Sequence, residues 1–177
     1  MTEPESYEIK RIADKDEVSG FDCGEEPWHK EVSDFLTEDA LDQQTLGLNT
    51  TLLFYMDESL IGFASLLASS IKLEDEPTLS AKSGLMGIGY QEFPCVKIGQ
   101  FGVDRAYQGQ GIGGFMLSWV RGAVIEGAVG VRFLSLHVHR KNKQGRDFWH
   151  RSGFQRVKNL SGSKYVFMLH DLYASGE

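Results

Sequence analysis

The segment over residues 108–114 combines small and polar residues in a way that could hold an anion. Its sequence, Gln-Gly-Gln-Gly-Ile-Gly-Gly, has four glycines in the six positions that begin at Gly109. Glycine leaves the main chain bare, so several backbone N–H groups can converge on one phosphate, and the start of a helix adds its positive dipole end. We therefore expect this segment, the glycine loop, to bind a pyrophosphate. A tight turn alone is the alternative, but it requires fewer glycines.

Two phosphate-binding patterns fit the same residues. With Gly109 first, the loop matches the dinucleotide pattern G-x-G-x-x-G; with Gln108 first, it matches the Q/R-x-x-G-x-G/A pattern of acetyl-CoA binders. A dinucleotide fold needs its first glycine directly after a strand and an acidic residue about 20 positions later. Here residues 104–107 intervene, and residues 127–146 contain no Asp or Glu. The context therefore favours the acetyl-CoA pattern over the dinucleotide one.

The hydrophobic pattern places the glycine loop between a strand and a helix. Apolar residues form short alternating or continuous runs typical of strands, and elsewhere recur at helical spacing. The predicted strands cover residues 7–12, 50–56, 60–71, 94–103, 132–138, 154–157 and 165–169, and the predicted helices cover 27–46, 111–126 and 143–151. We expect a hairpin turn at 57–59 and a loop insertion at 73–92. This order predicts an α/β or α+β fold with six or seven strands.

The length of 177 residues suits one domain with a single core. We expect Cys23 and Cys95 to be buried and inert, because two cysteines are too few for a disulfide framework. The helix over 111–126 is expected to turn one set of side chains inward: Phe115, Met116, Trp119, Val120, Ala123 and Val124.

The motifs around the glycine loop resemble those of the Gcn5-related N-acetyltransferase superfamily. The resemblance covers residues 94–157 and includes the strand before the loop, the strand over 133–138, Asn142-x-x-Gly145-x-x-Phe148-Trp149, and the Gly-Phe pair at 153–154. It implies a mixed, mostly antiparallel sheet of six or seven strands flanked by about four helices, with a splayed central strand pair. The whole of 1–177 would then be a single N-acetyltransferase domain. Residues 21–24, Phe-Asp-Cys-Gly, also look like the subset of acetyltransferase toxins that modify aminoacyl-tRNA.

The resemblance implies direct transfer of an acetyl group from acetyl-CoA to a primary amine of a small molecule or protein, in a ternary complex and without a metal. It also implies which residues bind the coenzyme. By their match to the family these are Phe101, Gly102, Val103, Gln108, Gly109, Gln110, Gly111, Ile112, Gly113, Gly114, Asn142 and Phe148.

Trp149 stands where the family usually has a tyrosine that protonates the leaving thiolate. The indole N–H has no acidic proton to give. Either the acid lies elsewhere or none is used, since a thiol with a pKa near ~8.5 leaves readily. Tyr107, Tyr165 and His150 are the reserve candidates for the acid.

Gln100 and His137 are the other catalytic candidates. The family arrangement points Gln100 at the cleft, where an amide can orient a substrate but cannot remove a proton. His137 and His139 share one strand face and could supply a base near neutral pH. They could also hold a metal, or be surface or half-buried imidazoles on a strand edge without a chemical role. With no acidic residue or cysteine near them, a metal is the poorer interpretation.

The net charge of −7 is unevenly distributed along the chain. Residues 1–60 carry 4 basic and 16 acidic side chains, a net −12, whereas 131–160 carry 8 basic and 1 acidic, a net +7. We expect an anionic ligand at the basic end. The acidic end is a poor surface for nucleic acid or anionic membrane and would attract a cationic amine.

Three other expectations concern partners and location. The longest apolar run, over 60–71, is shorter than the ~20 residues that span a bilayer, and the acidic start is unlike a signal peptide, so we expect a cytoplasmic protein without a membrane partner. The fold implied by the resemblance often pairs its C-terminal strands, which suggests a homodimer. The alternatives for function are a toxin-like enzyme acting on aminoacyl-tRNA with an antitoxin partner, a non-catalytic coenzyme A-binding domain, and a dinucleotide oxidoreductase.

Overall fold

The computed structural model describes residues 6–72, 84–85, 87–157 and 162–174. The strands are β1 Tyr7–Arg11, β2 Thr50–Met56, β3 Ser59–Ile71, β4 Phe93–Val103, β5 Phe133–His139, β6 Gln155–Arg156 and β7 Tyr165–Asp171. The helices are α1 Pro27–Asp34, a π-helix Phe35–Asp39, α2 Ala40–Thr45, a 3-10 turn Arg105–Tyr107, α3 Ile112–Ile125 and α4 Lys143–Arg151. Of the loop predicted over 73–92, residues 73–83 and 86 lie outside the described residues.

The seven strands form one sheet in the order β1-β2-β3-β4-β5-β7-β6. The pairs β1/β2, β2/β3, β5/β7 and β6/β7 are antiparallel. The pair β4/β5 is parallel and joins residues 95–98 to 133–136. The predicted mixed, mostly antiparallel sheet is therefore confirmed. The described residues contain three helical segments and one 3-10 turn where about four helices were expected, because α1, the π-helix and α2 follow one another without a break.

The predicted hairpin between β2 and β3 is present. Its turn holds Asp57 at φ 46° and Glu58 at φ 67°. Positive φ at both central residues is the backbone of the two-residue turn whose twist matches that of paired strands. The short polar sequence between two apolar runs was a sufficient signal for this turn.

The helix predicted over 27–46 is also present, but a π-helix interrupts it. Pro27 occupies the first turn, where its missing N–H costs nothing. The helical segment ends at Thr45, and Gly47 follows with φ 72°, the left-handed conformation that commonly follows a helix. Leu36 and Ala40, one turn apart across the π-helix, are fully buried. The π-helix had no sequence signal that we used.

The inner face of α3 differs in part from the prediction. Met116 and Val120 are buried as expected, and Ile112 and Leu117 are buried as well. Ala123 is exposed, so its predicted inward orientation is wrong. The burial on α3 is concentrated in its first nine residues, which the apolar pattern alone could not indicate, because the second half of α3 is equally apolar.

The chain divides into two compact units. The first holds the described residues of Met1–Leu67 and Gly99–Val120, and its core includes Cys23 and Phe63. The second holds those of Ala68–Ile98 and Arg121–Glu177, and its core includes Cys95 and Phe133. Both cysteines are free and buried, as predicted. Among the described residues, no helix is long and apolar enough to cross a membrane.

Candidate active site

The glycine loop lies where β4 ends and α3 begins, in the first unit. Gly109 and Gly111 have φ angles of 76° and 84°, in the left-handed region that favours glycine. A side chain added at either position would meet no described atom within 4 Å. Glycine is therefore required here by backbone conformation and not by lack of space, and the exposed loop is open to a ligand.

The first turn of α3 offers a concentration of N–H groups beside these glycines. Phe115 N–H donates to the Gly111 carbonyl over 3.1 Å, the bond that opens the helix. The N–H groups of the residues before Phe115 have no acceptor within α3. Together they form the positive end of the helix dipole. The turn reads Ile-Gly-Gly-Phe and contains no acidic side chain. The arrangement can bind an anion such as a phosphate.

A segment near the N-terminus is attached to the turn that precedes the glycine loop. Asp104 caps the 3-10 turn by accepting from Ala106 N–H over 3.0 Å, and its other oxygen accepts from Asp22 N–H over 3.2 Å. Arg105 N–H donates to the Asp22 carbonyl over 2.7 Å. The Arg105 guanidinium also pairs with Glu25 at 2.9 Å and with Asp22 at 3.6 Å. Residues 22–25 thus fix the approach to the loop.

Gln108 extends this attachment into the loop itself. Its side-chain amide nitrogen donates to the Cys23 carbonyl and to the Val103 carbonyl, each over 2.9 Å. Gln110 makes a local bond of the same kind, from its amide to the Ala106 carbonyl over 2.9 Å. Sequence reasoning placed both glutamines in the loop. It missed the bond from Gln108 to Cys23 because these residues are 85 positions apart in the chain.

Gly102, in the last part of β4, is held in close contact with the first core. An added side-chain carbon would lie 2.7 Å from Cys23 Sγ, 2.9 Å from Val32 Cγ1 and 3.0 Å from Phe63 Cε1. The three neighbouring candidates on this strand, Gln100, Phe101 and Val103, are half-buried. The glycine therefore lets the segment that carries Cys23 approach the strand closely.

Asn142, Phe148 and Trp149 lie in the second unit, on or next to α4. Asn142 caps this helix, and its Oδ1 accepts from Gly145 N–H over 2.8 Å. Trp149 is 7% exposed and packs between two aromatic rings, with centroid distances of 4.8 Å to Phe148 and 5.1 Å to Phe154. Phe148 is half-buried. Trp149 is therefore part of the packed interior of the second unit.

His137 also lies in the second unit, on β5. Its ring is 4.9 Å from that of Phe167. His137 is exposed. The desolvation that its ring still undergoes, together with the positive charge of Lys97, lowers the pKa of His137 below the ordinary value for histidine. An imidazole with a lowered pKa is neutral at pH 7 and can accept a proton. His139 is less available, because its Nδ1 accepts from Lys141 N–H over 3.2 Å.

The three reserve candidates for the acid differ in their exposure and in the unit to which they belong. Tyr107 and Tyr165 are half-buried, and His150 is exposed. Tyr107 belongs to the same unit as the glycine loop, whereas Tyr165 and His150 belong to the second unit. Within the described ranges, no three His, Cys, Asp or Glu side chains are grouped to hold a metal ion.

The family of this protein follows from a comparison with protein-family models. The model of the acetyltransferase (GNAT) family matches residues 16–154, which is most of the chain and includes β4, the glycine loop and α4. The chain therefore belongs to the acetyltransferase (GNAT) family, as its motifs predicted.

Solved structures with the same fold cover nearly the whole chain. A mutant of KacT is 27% identical, with 91% of this chain and 93% of that chain covered at a TM-score of 0.72. AtaT complexed with acetyl-methionyl-tRNAfMet is 23% identical, with 92% and 94% covered at a TM-score of 0.69. A mutant of the AtaT toxin bound to the C-terminus of the antitoxin AtaR and acetyl-CoA is 21% identical, with 92% of each chain covered at a TM-score of 0.67. The two AtaT structures show similarity in fold only.

Proposed function

We propose that this protein is an acetyl-CoA-dependent N-acetyltransferase, with residues 1–177 acting as one catalytic domain, and that it acetylates a primary amine. The observation that carries the proposal is the glycine loop. It combines two left-handed glycines with a helix start whose positive end has no acidic side chain beside it. Membership of the acetyltransferase family supports the same chemistry, and acetyl-CoA is bound in one of the structures with the same fold.

Different segments of the chain would bind different parts of acetyl-CoA. Backbone N–H groups of 109–114 would hold the pyrophosphate, and the backbone of Phe101 and Val103 would hold the pantetheine arm and the acetyl carbonyl. Asn142 uses its carbonyl oxygen for the helix cap, so its two amide N–H groups are the ones that would bond the arm. Phe148 would contribute apolar contact to the arm.

The chemical step forms one bond and breaks another. The neutral amine nitrogen attacks the acetyl carbon, the carbon–sulfur bond breaks and releases the thiolate, and the nitrogen loses one proton. A cationic acceptor must first lose one proton to water. We assign that proton to His137, directly or through a water, because this histidine is exposed on β5 and a neutral imidazole can accept a proton near pH 7. Gln100 would orient the amine. Trp149 cannot protonate the thiolate, which leaves without help from an acid because a thiol pKa is near ~8.5.

Two acceptor classes are supported by different observations. A small cationic amine or a protein amine fits the acidic side chains on the helices over 27–45, all of them exposed: Glu31, Asp34, Glu38, Asp39 and Asp42. The amino group of an aminoacyl-tRNA, with an antitoxin as protein partner, fits the AtaT structures, one complexed with acetyl-methionyl-tRNAfMet and one bound to the antitoxin AtaR. It also fits the exposed basic side chains of the second unit: Arg140, Lys141, Lys143, Arg151 and Arg156.

Release of free thiol from acetyl-CoA tests the proposal. The panel contains a polyamine, a lysine peptide, aminoacyl-tRNA and uncharged tRNA as the matched control. We expect thiol release with one acceptor class and none with uncharged tRNA. Tight coenzyme A binding without thiol release on any amine would favour the non-catalytic domain, and absence of coenzyme A binding would overturn the proposal. Growth arrest on expression of the chain alone would favour the aminoacyl-tRNA acceptor.

A further inference from the structure

The side-chain N–H groups of Gln108 already donate hydrogen bonds within the protein, so they are not available to a phosphate. A glutamine amide has two N–H groups, and those of Gln108 face the carbonyls of Cys23 and Val103 at 2.9 Å each. What remains of the side-chain amide is a carbonyl oxygen, which repels an anion. In this conformation the Gln108 side chain has no donor left for a pyrophosphate.

The carbonyl of Cys23 is a firm anchor. Cys23 is 4% exposed, and its Sγ packs against Gly102, where a side-chain carbon would have no room. Its N–H donates to Ser33 Oγ over 3.0 Å, and the Ser33 hydroxyl donates to the His29 carbonyl over 3.1 Å. Cys23 is therefore held by the core and by α1, so a bond to its carbonyl restrains the partner strongly.

The second acceptor, Val103, closes the turn that leads into the loop. Val103 is the last residue of β4, and Gln108 follows it by five positions. One side chain thus ties the beginning of the loop both to the strand before it and to a buried residue from another part of the chain. The exposed Arg105–Glu25 ion pair nearby adds little, because water and salt screen the attraction between exposed charges.

We propose that the Gln108 side chain is a positioning residue, which holds the glycine loop in its anion-binding shape through the Cys23 and Val103 carbonyls and does not itself bind the coenzyme. This inference rests on the proposed function, since it concerns the loop that would bind acetyl-CoA. It gives Ser33 a supporting role, because the Ser33 hydroxyl accepts from Cys23 N–H and so fixes the anchor.

The test compares Gln108→Met, which keeps the length of the side chain and removes both donors, with Gln155→Met at an exposed position of β6. In coenzyme-free protein, we expect hydrogen exchange of the backbone over 109–114 to be about tenfold faster in Gln108→Met and unchanged in Gln155→Met. By calorimetry, the Kd for coenzyme A should rise about tenfold. The KM for acetyl-CoA should rise with it, and kcat should change less than about twofold.

Ser33→Ala separates positioning from direct binding. We expect a smaller rise in both exchange over 109–114 and the Kd, and the Ser33→Ala/Gln108→Met double variant should be no worse than Gln108→Met alone. A rise in Kd for Gln108→Met with unchanged exchange would show that the side chain is a ligand and overturn the inference, as would unchanged values of both. If the wild type does not bind coenzyme A, the proposed function fails, and the exchange measurement still decides whether Gln108 orders the loop.

Discussion

The indole ring of Trp149 packs against the ring of Phe154, with their centroids 5.1 Å apart and their planes at 68°. This edge-to-face contact belongs to the interior of the second unit, where Trp149 is almost completely buried. The position that the family resemblance matches to a tyrosine is therefore a packing position in this protein. Substitutions there will change stability, so any effect on catalysis must be separated from that change.

Trp149→Tyr and Trp149→Phe form a matched pair for that separation. Both remove similar volume from the core, and we expect each to lower the free energy of unfolding by about 1–3 kcal/mol in urea denaturation. Only tyrosine adds a hydroxyl that could protonate a thiolate. Because we infer that the thiolate leaves unaided, kcat should agree within about threefold between the two variants. A tenfold advantage for tyrosine would mean that protonation of the thiolate limits the rate.

Gly111 should be sensitive to any side chain because of its φ of 84° and not because of crowding. We expect Gly111→Ala to lower the free energy of unfolding by about 1–2 kcal/mol and to weaken coenzyme A binding. Gly111→Asn should lose less, since asparagine tolerates the left-handed conformation. Gly122→Ala, at an open position inside α3, should instead stabilise by about 0.5–1 kcal/mol and leave the Kd for coenzyme A unchanged. Equal effects of Ala at 111 and 122 would contradict the conformational explanation.

Gly102 presents the opposite case, in which space is the limit. Gly102→Ala places a carbon 2.7 Å from Cys23 Sγ, so we expect a loss of about 1–3 kcal/mol in the free energy of unfolding. Cys23→Ala removes the clashing sulfur. The double variant should therefore be more stable than the sum of the two single changes predicts, which a double-mutant cycle in urea measures. Strict additivity would show that Val32 or Phe63 carries the clash.

The pH dependence of activity should report on His137 and Lys97. Desolvation of the ring and the charge of Lys97 lower the His137 pKa, so the acidic limb of kcat/KM should lie below the ordinary histidine value of ~6.5. Lys97→Met removes a positive charge that disfavours the imidazolium, and the limb should move to higher pH. Lys30→Met, on α1, should not move it. If His137→Gln retains the limb, another group is the base.

Local signals in the sequence were sufficient for much of this fold. Asn142 and Gly153 mark the two ends of α4, and the helix predicted over 143–151 has those bounds in the structure. Gly153 has φ 87°, which explains why glycine ends the segment. The family motifs were equally local, and the match of the family model over 16–154 confirms the interpretation that they supported.

The features that escaped prediction depend on distant parts of the chain. β7 lies between β5 and β6, although β6 precedes it in sequence, and no residue pattern within these strands specifies that order. The bond from Gln108 to Cys23 likewise joins residues 85 positions apart. Its signal was present in the Phe-Asp-Cys-Gly sequence at 21–24, but only the fold shows that this segment supports the loop. The roles of Trp149, Gln100 and His137 in catalysis stay predictions.

The helical segment over 27–45 has a consequence for the behaviour of the protein in solution. Asp34, Glu38 and Asp42 are exposed along this segment, and like charges a few residues apart repel each other. Mobile counterions weaken that repulsion, since the screening distance shrinks to about 3 Å at molar ionic strength. We therefore expect the urea concentration at the unfolding midpoint to rise as sodium chloride is added, so that this protein is more resistant to denaturation at high ionic strength than in dilute buffer.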